Sequence, residues 1–349
     1  MADALATPLL RWFAEHGRHD LPWQTPTTPY RVWVSEIMLQ QTQVSTVIPY
    51  FERFMAAFPT LADLAMAPLD AVLSHWAGLG YYARAHRLHA CADIVLRQYG
   101  GEFPTTLAAL MALPGIGRST AGAILALGQG ADGVILDGNV RRVLARYHAL
   151  PLDARSSPAE KLLWGWAHEH TPHDRAGAYA QAIMDLGATL CKPYQPECPR
   201  CPLKEDCQAY RRADVTAYPR KRIRQERAIR QRQALLIHDA QGRIWLQRRP
   251  NRGLWAGLFS WPECEAAEQD LHAWLEHHAL APATLEKAGS LQHDFTHYRL
   301  HLQLWTLAVP TFVAEKPGIW YAYGAEKPAL PAPVERYLEE SWSPTCPLW

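Results

Sequence analysis

Two carboxylates in contrasting surroundings and a cluster of four cysteines are the groups in this sequence equipped to do chemistry. Glu36 lies in Val34-Ser35-Glu36-Ile37-Met38-Leu39-Gln40-Gln41-Thr42-Gln43, one turn from Trp33. Held against Trp and Met, its charged form would be disfavoured and its pKa raised, whereas a solvated surface glutamate is the plain alternative. Asp137 follows the extended apolar trio Val134-Ile135-Leu136 and precedes a helical pattern over 140–147. It reads as a helix N-cap, and a carboxylate that accepts backbone N–H bonds beside a positive helix end should stay ionised. Cys191, Cys198, Cys201 and Cys207 follow the spacing C-x6-C-x2-C-x5-C, while the other three of the seven cysteines are scattered. Four such thiolates can hold zinc or a four-iron, four-sulfur cluster, and spacing alone does not choose.

Two further stretches could bind an anion or a base stack. Leu113-Pro114-Gly115-Ile116-Gly117-Arg118-Ser119-Thr120 is a two-glycine hairpin between apolar helical patterns, which either cradles phosphate or simply turns the chain. Gly78-Leu79-Gly80-Tyr81-Tyr82-Ala83-Arg84 is a glycine-bounded tip, either a packed corner or a wedge. Arg200 and Lys204 sit among the cysteines and could meet a phosphate chain.

The elements that must position these groups are helical through the first half. Apolar spacing predicts helices over 8–16, 30–48, 51–57, 61–65, 69–77, 83–99, 107–113, 118–127, 140–147, 162–170 and 179–190. A basic stretch over 211–232 then reads as a linker, and beyond it the period changes. A hairpin over 234–238 and 243–248 turns at Asp239-Ala240-Gln241-Gly242; strands follow over 284–291, 298–307 and 319–323, with helices over 268–278 and 333–339. The tail 341–349 lacks periodicity and reads as loose. At 349 residues and 48% hydrophobic content, the chain has room for two cored domains and is neither disordered nor fibrous. A formal net charge of +1 says nothing about nucleic acid, because a basic face can be balanced elsewhere. No basic leader or bilayer-length apolar run is apparent, so a cytoplasmic protein without membrane association is expected.

Taken together, Leu21-Pro22-Trp23-Gln24, the segment around Glu36, the tip 78–84, the hairpin 113–121, Ile135-Leu136-Asp137-Gly138-Asn139-Val140 and the four cysteines resemble the adenine DNA glycosylases of the MutY family. These are members of the helix-hairpin-helix glycosylase superfamily. The resemblance implies a multi-domain chain: an all-α glycosylase domain over 1–210, a basic linker over 211–231, an α+β Nudix-like domain over 232–340 and a tail. Within 1–210 it implies a six-helix barrel at about 30–135 and a cluster domain built from 1–29 and 136–210. It further implies a 4Fe-4S cluster on Cys191, Cys198, Cys201 and Cys207, and an adenine pocket lined by Trp23, Gln24, Leu39, Gln181 and Ser119. DNA contacts are implied for Gln40, Leu79, Tyr81, Gly115, Gly117, Arg118 and Asn139. Phe295-Thr296-His297 stands where many relatives have Phe-Ser-His, which implies 8-oxoguanine recognition, and the absence of a Nudix pyrophosphatase motif argues against hydrolysis there.

On this reading Glu36 is the general acid toward adenine and Asp137 steadies an oxocarbenium-like sugar, two carboxylates with divided roles. The substrate is double-stranded DNA carrying A:8-oxoguanine or A:G, met by a monomer. Two rivals stand beside it: an endonuclease III-like glycosylase/lyase, which would need a lysine where this chain has Ser119, and a non-catalytic iron-sulfur DNA-binding module.

Overall fold

The computed structural model describes residues 4–220, 227–250, 253–265, 268–278, 280, 285–295, 298–309 and 317–342. The chain divides into two compact units, Met1–Ala67 with His86–Ile223, and Pro68–Ala85 with Arg224–Trp349. The second grouping differs from a simple division at the basic linker, because residues 68–85 belong with the C-terminal unit.

The first unit is helical: α1 (Ala6–His16), α2 (Pro29–Leu39), α3 (Val44–Ala57), α4 (Leu61–Met66), then most of α6 (Ala83–Tyr99), α7 (Leu107–Met111), α8 (Arg118–Ala123), α9 (Gly138–Tyr147), α10 (Ser157–His170), α11 (Ala176–Thr189) and α12 (Gln208–Arg211), with α5 (Leu69–Trp76) in the other unit. Thr28 caps α2 by accepting the Arg31 N–H, and Pro29 supplies its first residue. The single helix expected over 30–48 is two helices. The run Gln40-Gln41-Thr42-Gln43 carries no apolar side chain to bury, and Gln41 adopts φ +60°, the left-handed conformation that ends helices. The break expected between residues 48 and 51 is absent, and Pro49 lies inside α3. The helix expected over 118–127 is α8 followed by a π-helical turn, Ile124–Gly128.

A core including Leu9, Val143, Leu144, Tyr179, Ile183 and Leu186 joins α1, α9 and α11. Two close approaches fix the start of α9. At Gly122 a Cβ would lie 1.9 Å from the Val134 carbonyl oxygen, and at Gly187 one would lie 2.6 Å from the Asn139 Cβ. Only glycine lets the segment before Asp137 lie on α8 and the first turn of α9 lie on α11. The loop after α1 is fastened to α11 by Arg18, whose backbone and guanidinium both donate to the fully buried Asp185 at 2.6 Å.

In the second unit, β1 (Ala228–His238) pairs antiparallel with β2 (Ile244–Arg248) and parallel with β6 (Tyr298–Ala308), and β5 (Leu285–Asp294) pairs antiparallel with β6. Short strands β3 (Phe259–Ser260), β4 (Glu263–Cys264) and β7 (Gly318–Tyr321) complete a mixed sheet of order β3-β2-β1-β6-β5, with β4 on β1 and β7 on β2. α13 (Glu268–His277) contributes Leu271 and Leu275 to a core with Leu235, Ile237 and Leu307, and α14 (Ala332–Glu340) follows β7. The expected turn is present: Asp239 Oδ1 accepts from the Gln241 and Arg243 N–H groups, and Gly242 has φ +73°. Strand β1 takes in residues 228–231, which the basic composition assigns to the linker. Those residues are exposed and the next ones continuously buried, so no alternation marks the strand's start. Residues 68–85 are tied to this unit by the pair Asp70–Arg248 and by Tyr82, whose hydroxyl donates to the Leu330 carbonyl at 2.9 Å. The central linker residues 221–226, the tail residues 343–349 and the strand start expected at Thr284 lie outside the described residues.

Gly122→Ala is expected to destabilise the helical unit by about 1–3 kcal/mol through overpacking against Val134. A denaturant midpoint equal to that of the wild type would contradict the tight approach.

Candidate active site

One cleft of about 1150 Å³ in the helical unit gathers Trp23, Gln24, Glu36, Leu39, Gln40, Ser119, Asp137, Asn139 and Gln181. These residues come from the loop after α1, the end of α2, the start of α8, the start of α9 and α11. Glu36 is half-buried on α2. Burial, and then the charge of Asp137, push its carboxyl up to about 8. Among the described residues no hydrogen bond pulls it back.

Asp137 caps α9 as expected: Oδ1 accepts the Val140 N–H at 2.7 Å, and Oδ2 accepts from the Asn139 amide at 3.0 Å. These bonds and Arg142 favour the charged form, yet burial outweighs them and the net direction is upward. The sequence expectation weighed the cap and the helix end without the burial. The Asp137 charge acts on Glu36, so the two acids titrate as a coupled pair.

Several pocket side chains are already committed within the chain. Ser119 Oγ accepts the Leu136 N–H at 3.0 Å, so it fixes the residue before Asp137 while facing the cleft. Gln24 accepts from the Leu21 N–H and donates to the Arg18 carbonyl, bracing its own loop. Gln181 donates to Asp185 at 3.3 Å, and Trp23 meets Phe51 edge-on at 5.5 Å. Sequence reasoning missed Arg142, which lines the cleft and donates to the Asn139 side chain and the Cys191 carbonyl. A basic residue on the helix after Asp137 was the only available signal. It also missed Arg18, whose partner Asp185 is 167 residues away.

The hairpin exposes Gly115, Gly117 and Arg118 while burying Ile116. Gly115 has φ +80°, a conformation that favours glycine. Gly117 has an ordinary φ of −88°, and an added Cβ there would meet no atom within 4 Å, so nothing among the described residues requires glycine at this position.

The tip in the second unit presents Tyr81, about half exposed at φ +51°, but buries Leu79 at 5% exposure. Buried Arg84 braces it by donating to the Leu79 and Gly80 carbonyls, both at 3.2 Å. Phe295 follows β5, its N–H donating to the Tyr298 carbonyl, amid the rings of Trp255, His293 and Tyr298. Thr296 and His297 lie outside the described residues.

Cys191, Cys198, Cys201 and Cys207 are free thiols lining one small cavity together with Arg146. Arg146 is 2% exposed and donates to Cys191 Sγ at 3.3 Å and to the Lys192 and Tyr218 carbonyls. Among the described residues, no three His, Cys, Asp or Glu converge closely enough to hold a single metal ion. None of the described helices is long and apolar enough to cross a membrane.

Comparison with known proteins accords with this geometry. Residues 34–169 match the HhH-GPD superfamily of base excision DNA repair proteins, and residues 233–340 match the NUDIX domain. The chain is 38% identical over 337 residues to the adenine DNA glycosylase of Buchnera aphidicola subsp. Acyrthosiphon pisum (strain APS), covering 95% of each. It is 36% identical over 366 residues to that of Homo sapiens, covering 86% of this chain and 66% of the human protein. A thermostable thymine-DNA glycosylase superposes with a TM-score of 0.55 at 26% identity, over 60% of this chain and 97% of its own. A non-covalent endonuclease III–DNA complex gives 0.50 at 21% identity, over 59% of this chain and 92% of that one, a likeness of fold alone. The helical unit is thus that of a base excision repair DNA N-glycosylase. Among such enzymes, the chain belongs to the adenine DNA glycosylase family.

Because the folded Glu36 carboxyl titrates near 8 and its ordinary value is 4.5, its burial opposes folding increasingly as pH rises between those values. Glu36→Gln is therefore expected to stabilise the protein, with a gain absent below pH 4.5 and complete above pH 8. Denaturant unfolding across that range measures it, and a pH-independent difference would refute the buried acid.

Proposed function

We propose that the chain excises adenine paired with 8-oxoguanine or with guanine in double-stranded DNA, hydrolysing the N-glycosidic bond through an oxocarbenium-like sugar. The observation that carries this reading is the pair of acids in one cleft: Glu36, its carboxyl pushed up to about 8, and Asp137, held by hydrogen bonds from Val140 and Asn139. Adenine is a poor leaving group as an anion, so Glu36 donates its proton toward N7 as the bond lengthens. Asp137, held by its cap bonds, faces the positive charge developing on the sugar, and water completes the hydrolysis. The nucleotide must first leave the duplex. Trp23, Leu39, Gln24 and Gln181 line the space for the base, while the exposed hairpin with Arg118, and Gln40 and Asn139 at the cleft, contact the DNA. Tyr81 and Leu79 belong to the tip that probes the stack, and Phe295 with Thr296 and His297 reads the 8-oxoguanine.

Ser119 supports hydrolysis over a Schiff-base route. It supplies no amine, and its hydroxyl is engaged by Leu136. Monomeric action on chromosomal DNA completes the reading.

The four cysteines fit a 4Fe-4S cluster. Superfamily members of this fold generally carry one, the four thiols line one cavity, and a buried arginine faces Cys191 where an anionic group would balance it. Such a cluster would cross-link the loop 191–207 and keep Arg200 and Lys204 at the surface. Freshly purified protein is expected to absorb broadly in the visible, with Cys198→Ser losing both that absorption and iron; a colourless protein with stoichiometric zinc would assign the site to zinc.

Single-turnover assays on A:8-oxoguanine, A:G and A:C duplexes, followed by alkali, test the reaction. Glu36→Gln should bind yet lose roughly 10²–10⁴-fold in rate. The wild-type rate should fall above pH 8 as Glu36 ionises, because its proton is the one delivered. Near-wild-type excision by Glu36→Gln, or efficient borohydride trapping of a covalent adduct, would overturn the assignment.

A further inference from the structure

We infer that Trp164 is a positioning residue for Arg118, holding its guanidinium beside the glycine hairpin where it grips one further phosphate of the bound duplex. This rests on the glycosylase reading of the hairpin as a DNA clamp and extends it to residues outside the hairpin.

Arg118 directly follows Gly117 and is exposed, yet its guanidinium lies 4.0 Å from the centre of the Trp164 ring, the closest cation–ring contact among the described residues. The ring is itself held. Its Nε1–H donates to Glu160 Oε1 at 2.9 Å, Glu160 Oε2 pairs with Arg141 at 2.5 Å, and Arg141 donates to the Ala154 carbonyl at 2.9 Å. Rotating the indole would break the first link in that chain, so Arg118 rests on a fixed shelf and spends little freedom on binding. Glu160 is charged and paired with Arg141, whose hydrogen bond holds its carboxyl below the ordinary value.

The surface beside the shelf suits a polyanion. A shallow cavity of about 660 Å³ is lined by Arg118, Ser157, Lys161, Trp164, Gly165 and His168 together with the acidic Glu160, and Lys161 and His168 lie exposed one turn to either side of the tryptophan. Gly165 is a second, independent pointer. It lies inside α10, where glycine costs about 1 kcal/mol relative to alanine, and an added Cβ would meet nothing within 4 Å. No contact with the described residues accounts for it, and its effect is to keep the floor beside Trp164 clear. A contact that merely packed α8 against α10 would require neither an exposed cation nor that clearance.

A double-mutant cycle tests the shelf, using fluorescence anisotropy across a salt series with a duplex carrying uncleavable 2′-fluoro-adenosine opposite 8-oxoguanine. Arg118→Ala should reduce the slope of log K against log salt by about 0.9, the loss of one phosphate contact. Trp164→Ala should weaken binding by about fivefold, the worth of a cation–ring contact. Trp164→Phe should recover most of that loss, and the double variant should bind no worse than Arg118→Ala alone. Circular dichroism of each variant establishes that it is folded. Additive losses, or Trp164→Ala binding as the wild type does, would overturn the positioning role and leave the glycosylase reading standing. A wild type that fails to bind the duplex at all would overturn both.

Discussion

The helical unit depends on burying two carboxylates in one cleft, an arrangement that opposes folding wherever both are ionised. Burial raises both, and the two are held differently: Asp137 receives N–H bonds from α9 and Asn139, while Glu36 faces burial and the Asp137 charge. On the proposed reading that difference in surroundings divides the work, with Glu36 the acid that donates and Asp137 the carboxylate that faces the developing charge.

Holding that asymmetry requires Asp137 to stay within reach of its cap, and three features on different elements converge there. The Gly122–Val134 approach sets the incoming segment on α8, Ser119 fastens Leu136, and Gly187 lets Asn139 settle against α11. Arg142 then spans from Asn139 to Cys191, so the same first turn is tied to the cysteine loop. Ser119 shows why a residue's role is not settled by its position in a motif. It faces the cleft, yet its hydroxyl accepts the Leu136 N–H and so fixes the residue before Asp137.

Sequence made much of this legible because the chemistry is locally encoded. The N-cap at Asp137 follows from an extended trio meeting a helical pattern, and the hydrophobic flanks of Glu36 foretell its raised pKa. What sequence concealed is long-range. Nothing in the local pattern links Arg18 to Asp185 or Arg142 to Cys191, and nothing shows that burial will outweigh the cap at Asp137. The division of 30–48 into two helices was hidden by apolar spacing that continues through the break, although the polar run 40–43 and a single left-handed Gln41 end the first helix. The grouping of residues 68–85 with the sheet was hidden for a different reason: it rests on Asp70 and Tyr82 meeting Arg248 and Leu330, residues far along the chain. Contiguity in sequence suggested one helical body, whereas the hydrogen bonds assign the tip to the other.

Glycines separate structural need from outward purpose in this chain. Gly122 and Gly187 are explained by atoms a Cβ would strike, and Gly115 by its positive φ. Gly117 and Gly165 have neither reason, yet both are exposed, and one of them weakens a helix by its presence. They flank the Arg118–Trp164 contact, one beside the arginine and the other beside the tryptophan. Clear surface on both sides of a held cation is what a phosphate backbone needs to approach closely, so the glycines and the shelf describe a single contact from opposite directions.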